Sequence, residues 1–309
     1  MPAWKRRGGC LRRQCENEFP ELVSTGRSLA MKAPAHSNLS AEAREIRLVR
    51  YDDGRSVGEV DDVLAAEEPL EIRVEGRPLA VVMRTPGHDR ELAAGFLLSE
   101  GVIKTAKDIF DITSCIEQGA TGTGNAVDVA LTHPDSFDFE KLTRHVFTSS
   151  SCGICSKASV EAVLKRRKPL HDEVRVKAGV LLALPQRLAR KQDTFKSTGG
   201  LHACAIFDAA GKLLAVREDV GRHNALDKLL GWALLEKIAP LHGHIALLSG
   251  RASFEMMQKA HAGGIPIVAA ISAPSSLAVE FARESGQTLV GFLRGRSMNA
   301  YAGAERITR

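Results

Sequence analysis

Long hydrophobic runs are missing from this sequence of 309 residues. The most apolar stretch, residues 264–273, is much shorter than the roughly 20 apolar residues that a transmembrane helix needs, which excludes a membrane-spanning class. The basic start, residues 1–13, lacks the apolar core of a secretory signal peptide. Aromatic residues are scarce, at 5%, while hydrophobic residues at 44% and charged residues at 26% match an ordinary globular protein. We therefore expect a globular protein of the cytoplasm with no membrane partner.

A strong excess of charge is missing too. Lys and Arg number 42 against 37 Asp and Glu, which gives a net charge of +5. Residues 1–30 contain six Lys or Arg and three Glu, so they supply three of those five charges and leave the remainder nearly balanced. A folded nucleic-acid-binding domain instead presents a basic face. We therefore expect no nucleic-acid partner, with a basic tail that binds nucleic acid as a minor alternative.

The six cysteines do not form the dense framework of a small secreted protein. Two of them, Cys152 and Cys155, form a C-x-x-C pair inside a run of serines and other small polar residues. Such residues give an open loop, and a C-x-x-C pair commonly lowers a thiol pKa, which favours the reactive thiolate. Three other interpretations stay open: a zinc site completed by His202, Cys204 or Cys115, a structural disulfide, and a thioredoxin-like redox pair. Because zinc requires four ligands and no second C-x-x-C is present, a reactive cysteine is the preferred interpretation.

The distribution of residue types divides the chain into four parts. Residues 1–40 lack periodicity, which predicts a disordered basic tail. Residues 41–147 show short strand patterns and one helix pattern, which predicts a small α+β domain. Residues 148–184 contain the cysteine loop and a connector, and residues 185–309 show the pattern of an α/β domain.

Local signals give the elements of the small domain. Glu75 and Gly76 separate two alternating segments, which predicts a β-hairpin. Asp89 precedes an amphipathic segment that Gly101 follows, which predicts a helix over residues 90–100. The predicted strands are residues 46–51, 71–74, 79–83, 109–113 and 126–132.

Helix and strand patterns alternate regularly in the α/β domain. This alternation predicts a mixed, mostly parallel sheet that is covered by helices on both faces. The order helix, strand, strand, helix, strand, helix, strand resembles the cytidine deaminase-like three-layer αβα fold. The predicted helices are residues 185–195, 222–237, 252–262 and 274–285. The predicted strands are residues 201–207, 213–217, 245–249, 266–271 and 288–293.

Three polar loops follow the predicted parallel strands, at the sheet edge where α/β folds bind ligands. The loops are residues 249–251, 272–276 and 294–297. Two of them open helices, whose free N–H groups favour phosphate, and Arg251 and Arg294 add permanently charged donors. Ser and Gly cap helices in many proteins, and arginine is usually a solvated surface residue. The three loops together nevertheless favour a polyphosphate pocket.

A strand-to-helix junction in the α/β domain is unusually polar. His223 lies near Asp219 and Asp227 in the sequence, which suggests a proton carrier, and a helix-capping network around Asp219 is the alternative. The role of His202 stays open. Cys204 alternates with apolar neighbours, which predicts a core thiol.

Several of these segments occur together, in this order, in the FdhD/NarQ family, which the chain resembles from about residue 46 to its C-terminus. They include Ser-Ser-Cys-Gly-Ile-Cys around the cysteine pair and Thr-Gly-Gly-Leu-His before the first strand of the α/β domain. The sequence departs from the family pattern at Ser297, where an arginine is common. The matching segments are residues 150–155, 198–202, 217–228, 249–255, 272–278 and 291–294.

This resemblance implies a sulfurtransferase that is needed for formate dehydrogenase activity. A cysteine desulfurase would donate a sulfane sulfur, which the family holds as a persulfide on the residue that matches Cys152, with Cys155 as its catalytic partner. The sulfur would pass to the molybdenum bis-guanine-dinucleotide cofactor, bound as cargo for a molybdenum-dependent formate dehydrogenase. The resemblance also implies a cytoplasmic homodimer without metal-ligating residues. Cofactor binding, with Arg251 added from the loop analysis, maps to Phe292, Leu293, Arg294, Gly295, Arg296 and Ser297.

Two other functions compete with this one. A non-catalytic chaperone would bind and protect the cofactor, and its ligand binding would depend on the cysteines while no persulfide forms. A zinc-dependent nucleoside deaminase would need an H-x-E motif and a P-C-x-x-C motif. Ser151 precedes Cys152 and no His-Ala-Glu occurs, so we disfavour the deaminase.

Overall fold

The computed structural model describes residues 40–117, 124–136 and 168–309, which lie in one compact unit, Leu39–Arg309. The predicted basic tail, the end of the predicted small domain and the cysteine loop lie outside the described residues. Within those three ranges, no helix is long and apolar enough to cross a membrane. The predicted domain boundaries stay predictions.

A two-stranded antiparallel hairpin begins the described chain. It consists of β1 (Ala43–Asp52) and β2 (Arg55–Ala65). The predicted strand at residues 46–51 is confirmed as part of β1, while its partner β2 was missed. Asp61, Asp62 and Gly58 interrupt the apolar residues of β2, which hides its strand pattern in the sequence.

A four-stranded sheet and one helix follow this hairpin. They are β3 (Glu68–Val74), β4 (Arg77–Arg84), α1 (Asp89–Ser99), β5 (Ile109–Glu117) and β6 (Gly124–Leu131). The strand order is β4-β3-β6-β5, in which β3 and β6 are parallel and the other pairs are antiparallel. The predicted hairpin turn is confirmed, because Glu75 and Gly76 adopt φ angles of 53° and 71°, the left-handed values that a type I′ turn requires.

The remaining described chain forms a six-stranded sheet with helices between its strands. In chain order it contains β7 (Val176–Lys177), α2 (Ala178–Ala189), α3 (Asp193–Thr198), β8 (His202–Phe207), β9 (Leu213–Asp219), α4 (Arg222–Leu235), β10 (Ile245–Leu248), α5 (Phe254–Ala262), β11 (Ile267–Ala270), α6 (Ser276–Glu284), β12 (Thr288–Arg294), β13 (Ser297–Ala302) and β14 (Ile307–Thr308). Strands β7 and β14 pair separately, in parallel. From α4 to β12 the predicted elements are confirmed to within two residues at each end.

The sheet is mixed, as predicted, but it is less parallel than predicted. Its order is β13-β12-β11-β10-β8-β9, and only the pairs β10–β11 and β11–β12 are parallel. The pairs β8–β9, β8–β10 and β12–β13 are antiparallel. The difference arises because β8 and β9 form a hairpin and because β12 turns directly into β13, so short connections replace helical crossovers.

Helices cover both faces of this sheet, as predicted. Ala246 and Leu248 of β10 face a core that also contains residues of α1, α4, α5 and α6. Their neighbours Ile245 and Leu247 face a second core with residues of α2. The first core continues into the four-stranded sheet through Ile72 and other residues. Helices α1 and α4 therefore lie between the two sheets.

The predicted helix over residues 185–195 is wrong. The chain forms two helices there, α2 and α3, and Pro185 lies inside α2 rather than at a helix start. Leu181, Leu184 and Leu188 are spaced along one face of α2 and are fully buried. The free energy gained by burying this face offsets the cost of the backbone hydrogen bond that a proline removes from a helix interior.

Helices α1 and α4 cross with their backbones in close contact. A Cβ atom added to Gly95 would overlap the Asp227 carbonyl, and one added to Gly231 would overlap the Glu91 carbonyl. Each helix therefore places a glycine against the backbone of the other. No larger residue fits at this crossing without separation of the helices.

We expect Gly95→Ala to lower the free energy of unfolding by roughly 1–3 kcal/mol or more, because the added methyl group separates α1 from α4. Urea unfolding measures the change. Gly179→Ala in α2 is the matched control, because a Cβ atom there meets nothing within 4 Å and alanine favours a helix interior by about 0.5–1 kcal/mol. Equal effects of the two substitutions would contradict the assigned crossing.

Candidate functional site at one edge of the six-stranded sheet

Main-chain hydrogen bonds hold the three predicted ligand loops side by side. The Ala252 N–H donates to the Ala273 carbonyl over 3.2 Å, and the Ser275 N–H donates to the Ala252 carbonyl over 3.0 Å. The Phe292 N–H donates to the Ser272 carbonyl over 3.0 Å. These bonds join the loops after β10 and β11 to the end of β12. The structure thus brings the loops together, and their role in ligand binding stays a prediction.

The predicted cofactor segment, residues 292–297, forms the end of β12 and a hairpin turn into β13. Gly295 has a φ of 60° and begins the two-residue turn, while Arg296 follows it. The Arg294 guanidinium lies 5.5 Å from the centre of the Phe292 ring. Both arginines are exposed, together with Ser297 and Arg251. They are therefore accessible to an anionic ligand.

Leu293 differs from the other residues of this segment, because its side chain is fully buried in the core beneath the sheet. Only its backbone is available to a ligand. Phe292, by contrast, is half-buried and has a φ of 50°. This left-handed conformation is strained for an aromatic residue, and such strain occurs often at functional sites.

Strands β8 and β9 contribute to the same edge through the buried carboxylate of Asp219. Its Oδ1 atom accepts hydrogen bonds from the Gly221 N–H at 2.8 Å and from Asn224 Nδ2 at 3.0 Å. Its Oδ2 atom accepts a hydrogen bond from the Thr85 N–H at 3.1 Å and lies 2.8 Å from Lys228 Nζ. Asp219 does form a hydrogen-bond network, but it is not the predicted helix cap, because the N-cap residue of α4 is Gly221 and no side chain makes a capping hydrogen bond there. The network fixes the loop between β9 and α4.

His223 does not pair with the residues predicted from its sequence neighbourhood. Asp219 is occupied by its own network, and Asp227 lies 2.8 Å from Lys259 Nζ. His223 Nε2 instead lies 2.9 Å from Oε2 of Glu255, in the first turn of α5. His223 and Asp227 are four residues apart on α4, where side chains can meet, but Asp227 pairs with Lys259 of α5 and His223 lies against Glu255 of α5. His223 therefore lacks the two carboxylate partners, Asp219 and Asp227, that the proton-carrier hypothesis requires.

Glu255 carries a negative charge at neutral pH. The close polar contact and charge of His223, followed by the nearby charges of Arg222 and Lys259, hold the pKa of this carboxyl below its usual range although burial opposes the shift. Sequence reasoning missed Glu255, since an acidic residue in a first helical turn is ordinarily explained by the helix dipole. Its partner His223 is too distant in sequence to be found by pattern.

His202 lies at the start of β8 and faces positive charges. A Cβ atom added to Gly250 would lie 3.2 Å from His202 Nδ1, so the absence of a side chain at Gly250 leaves room for the imidazole. Burial, and then the positive charges of Arg222, His223 and Arg251, lower the pKa of His202. A neutral imidazole offers one donor and one acceptor. His202 is therefore available for hydrogen bonding at this edge.

Four buried polar atoms at the starts of α4 and α5 make no hydrogen bond of normal geometry within the described residues: Arg222 Nε, Ser253 Oγ, Glu255 Oε1 and His223 Nε2. His223 Nε2 nevertheless lies 2.9 Å from Glu255 Oε2. Ser253 occupies the N-cap position of α5, yet its side chain makes no capping hydrogen bond. A buried polar group without a partner costs about 1–3 kcal/mol, and native proteins keep few of them. Their concentration at the starts of two helices marks a candidate polar site.

Positive charge at this edge is also unbalanced. Arg222, Arg251, Arg294 and Arg296 form no ion pair with a carboxylate in residues 40–117, 124–136 or 168–309. Arginine is a strong ligand for phosphate because its fork of donors matches phosphate oxygens. The edge can therefore bind an anion.

The structure describes two of the cysteines, Cys115 and Cys204. Cys152 and Cys155, the predicted catalytic pair, lie outside the described residues. Cys204 is a core thiol, as predicted, and burial raises its pKa. Cys115 lies on β5, in the other sheet. In the described part of the chain, no group of three or more His, Cys, Asp or Glu residues is arranged to hold a metal ion.

Comparison with known proteins identifies the family. Residues 65–308 match the model of the FdhD/NarQ family. The chain belongs to this family. FdhD/NarQ relatives include the sulfur carrier protein FdhD of Streptomyces coelicolor, which is 53% identical over 84% of this chain and 94% of its own length. The sulfur carrier protein FdhD of Mycobacterium bovis is 52% identical over 85% of this chain and 98% of its own length.

A solved structure supports the same FdhD/NarQ assignment. The crystal structure of a formate dehydrogenase accessory protein from Desulfotalea psychrophila has a TM-score of 0.68 and 26% identity to this chain. The match covers 86% of this chain and 99% of that protein.

We expect Asp219→Asn to lower the free energy of unfolding by about 3–5 kcal/mol, because it leaves the ammonium of Lys228 buried without a countercharge. Thermal and urea unfolding measure the loss. Asp193→Asn is the matched control, because Asp193 is exposed and its pair with Lys196 lies in solvent, where such pairs contribute little. A loss of similar size in both variants would contradict the role of Asp219.

Proposed function

We propose that this protein is a sulfur carrier that accepts a sulfane sulfur on Cys152 and delivers it to the molybdenum bis-guanine-dinucleotide cofactor. One observation carries the proposal: the family match over residues 65–308, with relatives at 52–53% identity that are named sulfur carrier proteins. The similar solved structure, of a formate dehydrogenase accessory protein, supports formate dehydrogenase as the recipient. The protein thus acts as a sulfurtransferase.

The loading step is a thiol exchange. The Cys152 thiolate attacks the terminal sulfur of a persulfide on a cysteine desulfurase. A new sulfur–sulfur bond forms on Cys152, the donor's sulfur–sulfur bond breaks, and the donor cysteine leaves as a thiolate. No oxidant is needed, because the sulfane sulfur keeps its oxidation state. The open, serine-rich sequence around Cys152 suits a thiol that meets two partners in turn.

Cys155 provides a route for release. Its thiolate attacks the Cys152 sulfur of the persulfide, which forms a disulfide between the two cysteines and expels the terminal sulfur as hydrosulfide. The two cysteines are oxidised while the transferred sulfur is reduced. A dithiol reductant then restores both thiols. The spacing of the pair, with two residues between the cysteines, is common in disulfide exchange.

The edge of the six-stranded sheet holds the cofactor as cargo in this proposal. Arg251 and the segment at residues 292–297 bind its phosphates, since their arginines have no carboxylate partner in the described ranges. The helix start at Ser275 adds N–H donors, although Ser275 itself accepts a hydrogen bond from Ala278. Binding at this edge would hold the cargo in place during transfer.

The proposed setting follows from the same assignment. The donor is a cysteine desulfurase, the recipient is a molybdenum-dependent formate dehydrogenase, and the protein works in the cytoplasm as a homodimer. Its α/β domain is proposed to be cytidine deaminase-like. The strand order β9-β8-β10-β11-β12, with β8 antiparallel to its neighbours and helices on both faces, supports that class.

We expect Cys152→Ala to abolish sulfur loading, because the thiolate that receives the sulfane sulfur is removed. Intact-protein mass spectrometry after incubation with a cysteine desulfurase and cysteine measures the adduct, which a reductant should remove. Cys155→Ala should still load sulfur but release it more slowly. Cys115→Ala is the matched control and should load normally.

A wild-type protein that restores formate dehydrogenase activity while carrying no adduct would instead support a chaperone that only protects the cofactor. Persistence of the adduct in Cys152→Ala would move the persulfide to another cysteine. Either result would refute the proposed carrier residue.

We expect Arg294→Ala to weaken GDP binding by on the order of tenfold, because one charge-assisted phosphate contact contributes about 1.5–3 kcal/mol. The weakening should shrink as salt is raised. Isothermal titration calorimetry measures the affinity. Arg50→Ala, an exposed arginine on β1, is the control. Unchanged affinity in Arg294→Ala would remove this residue from the phosphate site.

A further inference from the structure

The hairpin of β1 and β2 carries apolar side chains that the described chain leaves exposed. Half of the large exposed apolar side chains in the described ranges lie on this hairpin, Ile46 and Leu64 among them. The two strands pair only with each other within those ranges. A two-stranded hairpin is marginally stable alone, and a contiguous exposed apolar surface marks an interaction site. A partner on this hairpin would remove apolar surface from water and stabilise both strands.

The register of the hairpin divides its side chains between two faces, because residues directly opposite each other point to the same side. On one face Leu48 lies opposite Val60, and both are half-buried. Ile46 and Leu64 continue this face toward the base of the hairpin, away from its turn. These four side chains form an apolar row. We call the face that carries them the Leu48 face.

Two charged side chains flank the centre of the Leu48 face, and neither forms an ion pair within the described residues. Asp62 lies two residues from the centre toward the base, and Arg50 lies two residues from it toward the turn. Asp62 accepts a hydrogen bond from the Val63 N–H, which leaves its charge without a counterion. Gly58 lies opposite Arg50 and leaves open space there. The opposite charges therefore lie at equal distances on either side of the apolar centre.

This arrangement is complementary to itself across a two-fold axis. When two Leu48 faces pack together with the hairpins antiparallel, the apolar centres meet and Asp62 of each copy lies level with Arg50 of the other. Gly58 beside that arginine leaves room for its side chain to reach across. Packed sheets lie about 10 Å apart, a distance that the two side chains can span together. A two-fold contact repeats each interaction twice.

The opposite face of the hairpin does not have this property. Arg47 lies opposite Asp61 at its centre, and the two form an ion pair at 3.2 Å. The same antiparallel packing on this face would bring Glu45 of one copy level with Glu59 of the other. Carboxylates in that position repel each other, which disfavours association. The charges of the hairpin thus select the Leu48 face.

We propose that the Leu48 face is the surface through which two copies of this chain associate. The inference rests on the homodimer of the proposed function, and it names the side chains that form the contact. The base of the hairpin is held to the rest of the chain, because Arg44 lies 2.6 Å from Glu68 on β3. The hairpin therefore presents the Leu48 face in a defined direction.

Sedimentation analysis of the purified full-length protein over a series of concentrations measures the dissociation constant of the dimer. Arg50→Asp and Asp62→Arg should each raise this constant by on the order of tenfold or more, because reversal replaces attraction with repulsion at two places in each dimer. The double variant, which carries both substitutions, should restore most of the wild-type affinity. Only a direct pairing between these two positions predicts that rescue.

Leu48→Asp should abolish association, because it places a charge in the apolar centre of the contact. Glu45→Arg, on the opposite face, is the matched control and should associate as wild type does. GDP affinity should stay at the wild-type level in all of these variants, because no residue of the Leu48 face lies in the ligand loops.

The outcomes separate the surface from the proposed function. Unchanged dissociation constants in both single variants, or no rescue in the double variant, would overturn the Leu48 face while the homodimer stands. A wild type that stays monomeric at micromolar concentrations would overturn both the surface and the homodimer. Sulfur loading on Cys152, measured separately by mass spectrometry, tests the sulfur relay in every case.

Discussion

The buried carboxylate of Asp219 is the contact on which the arrangement of the edge depends. It is fully buried, and so is its countercharge on Lys228. Through Thr85 it reaches the end of β4, and through Gly221 and Asn224 it shapes the start of α4. Buried ion pairs contribute little net stability against an apolar alternative, but removal of one partner is costly. We infer that the pair is kept because it fixes one geometry among several that hydrophobic burial alone would allow.

The Asp219 network fixes where α4 starts at this edge of the sheet, because the helix begins immediately after it. Arg222 and His223 are its first two residues, and His223 contacts Glu255 in the first turn of α5. The crossing at Gly95 and Gly231 fixes the other end of the same helix against α1. Helix α4 is thus anchored along its length, which allows unpaired groups at its start to persist. Such groups reduce stability, and a rigid support is what makes them tolerable at a binding site.

Regular elements could be predicted from the sequence because they depend on local patterns. The Glu75–Gly76 turn and the helix and strand pairs of the α/β domain follow from turn chemistry and hydrophobic period, and they are confirmed. Proline favours the first turn of a helix, which predicts a helix start at Pro185, yet burial of one leucine face extends α2 across it. The partnership of His223 with Glu255 could not be predicted, since it joins two helices that meet only in the folded chain. The adjacency of the three polar loops could be predicted from their position after neighbouring strands, a rule of topology rather than of composition.

The position of Cys204 completes the argument about sulfur chemistry. Its Sγ atom lies 4.0 Å from the Arg222 carbonyl, directly beneath the start of α4 and close to the proposed ligand site. A second reactive thiol there would compete for the transferred sulfur. Burial prevents this, because the raised pKa keeps the thiol protonated and the thiolate is the nucleophile in sulfur exchange. In the proposed relay, Cys204 can therefore lie near the cargo without diverting sulfur from Cys152. Selectivity between these thiols would follow from exposure and charge rather than from distance.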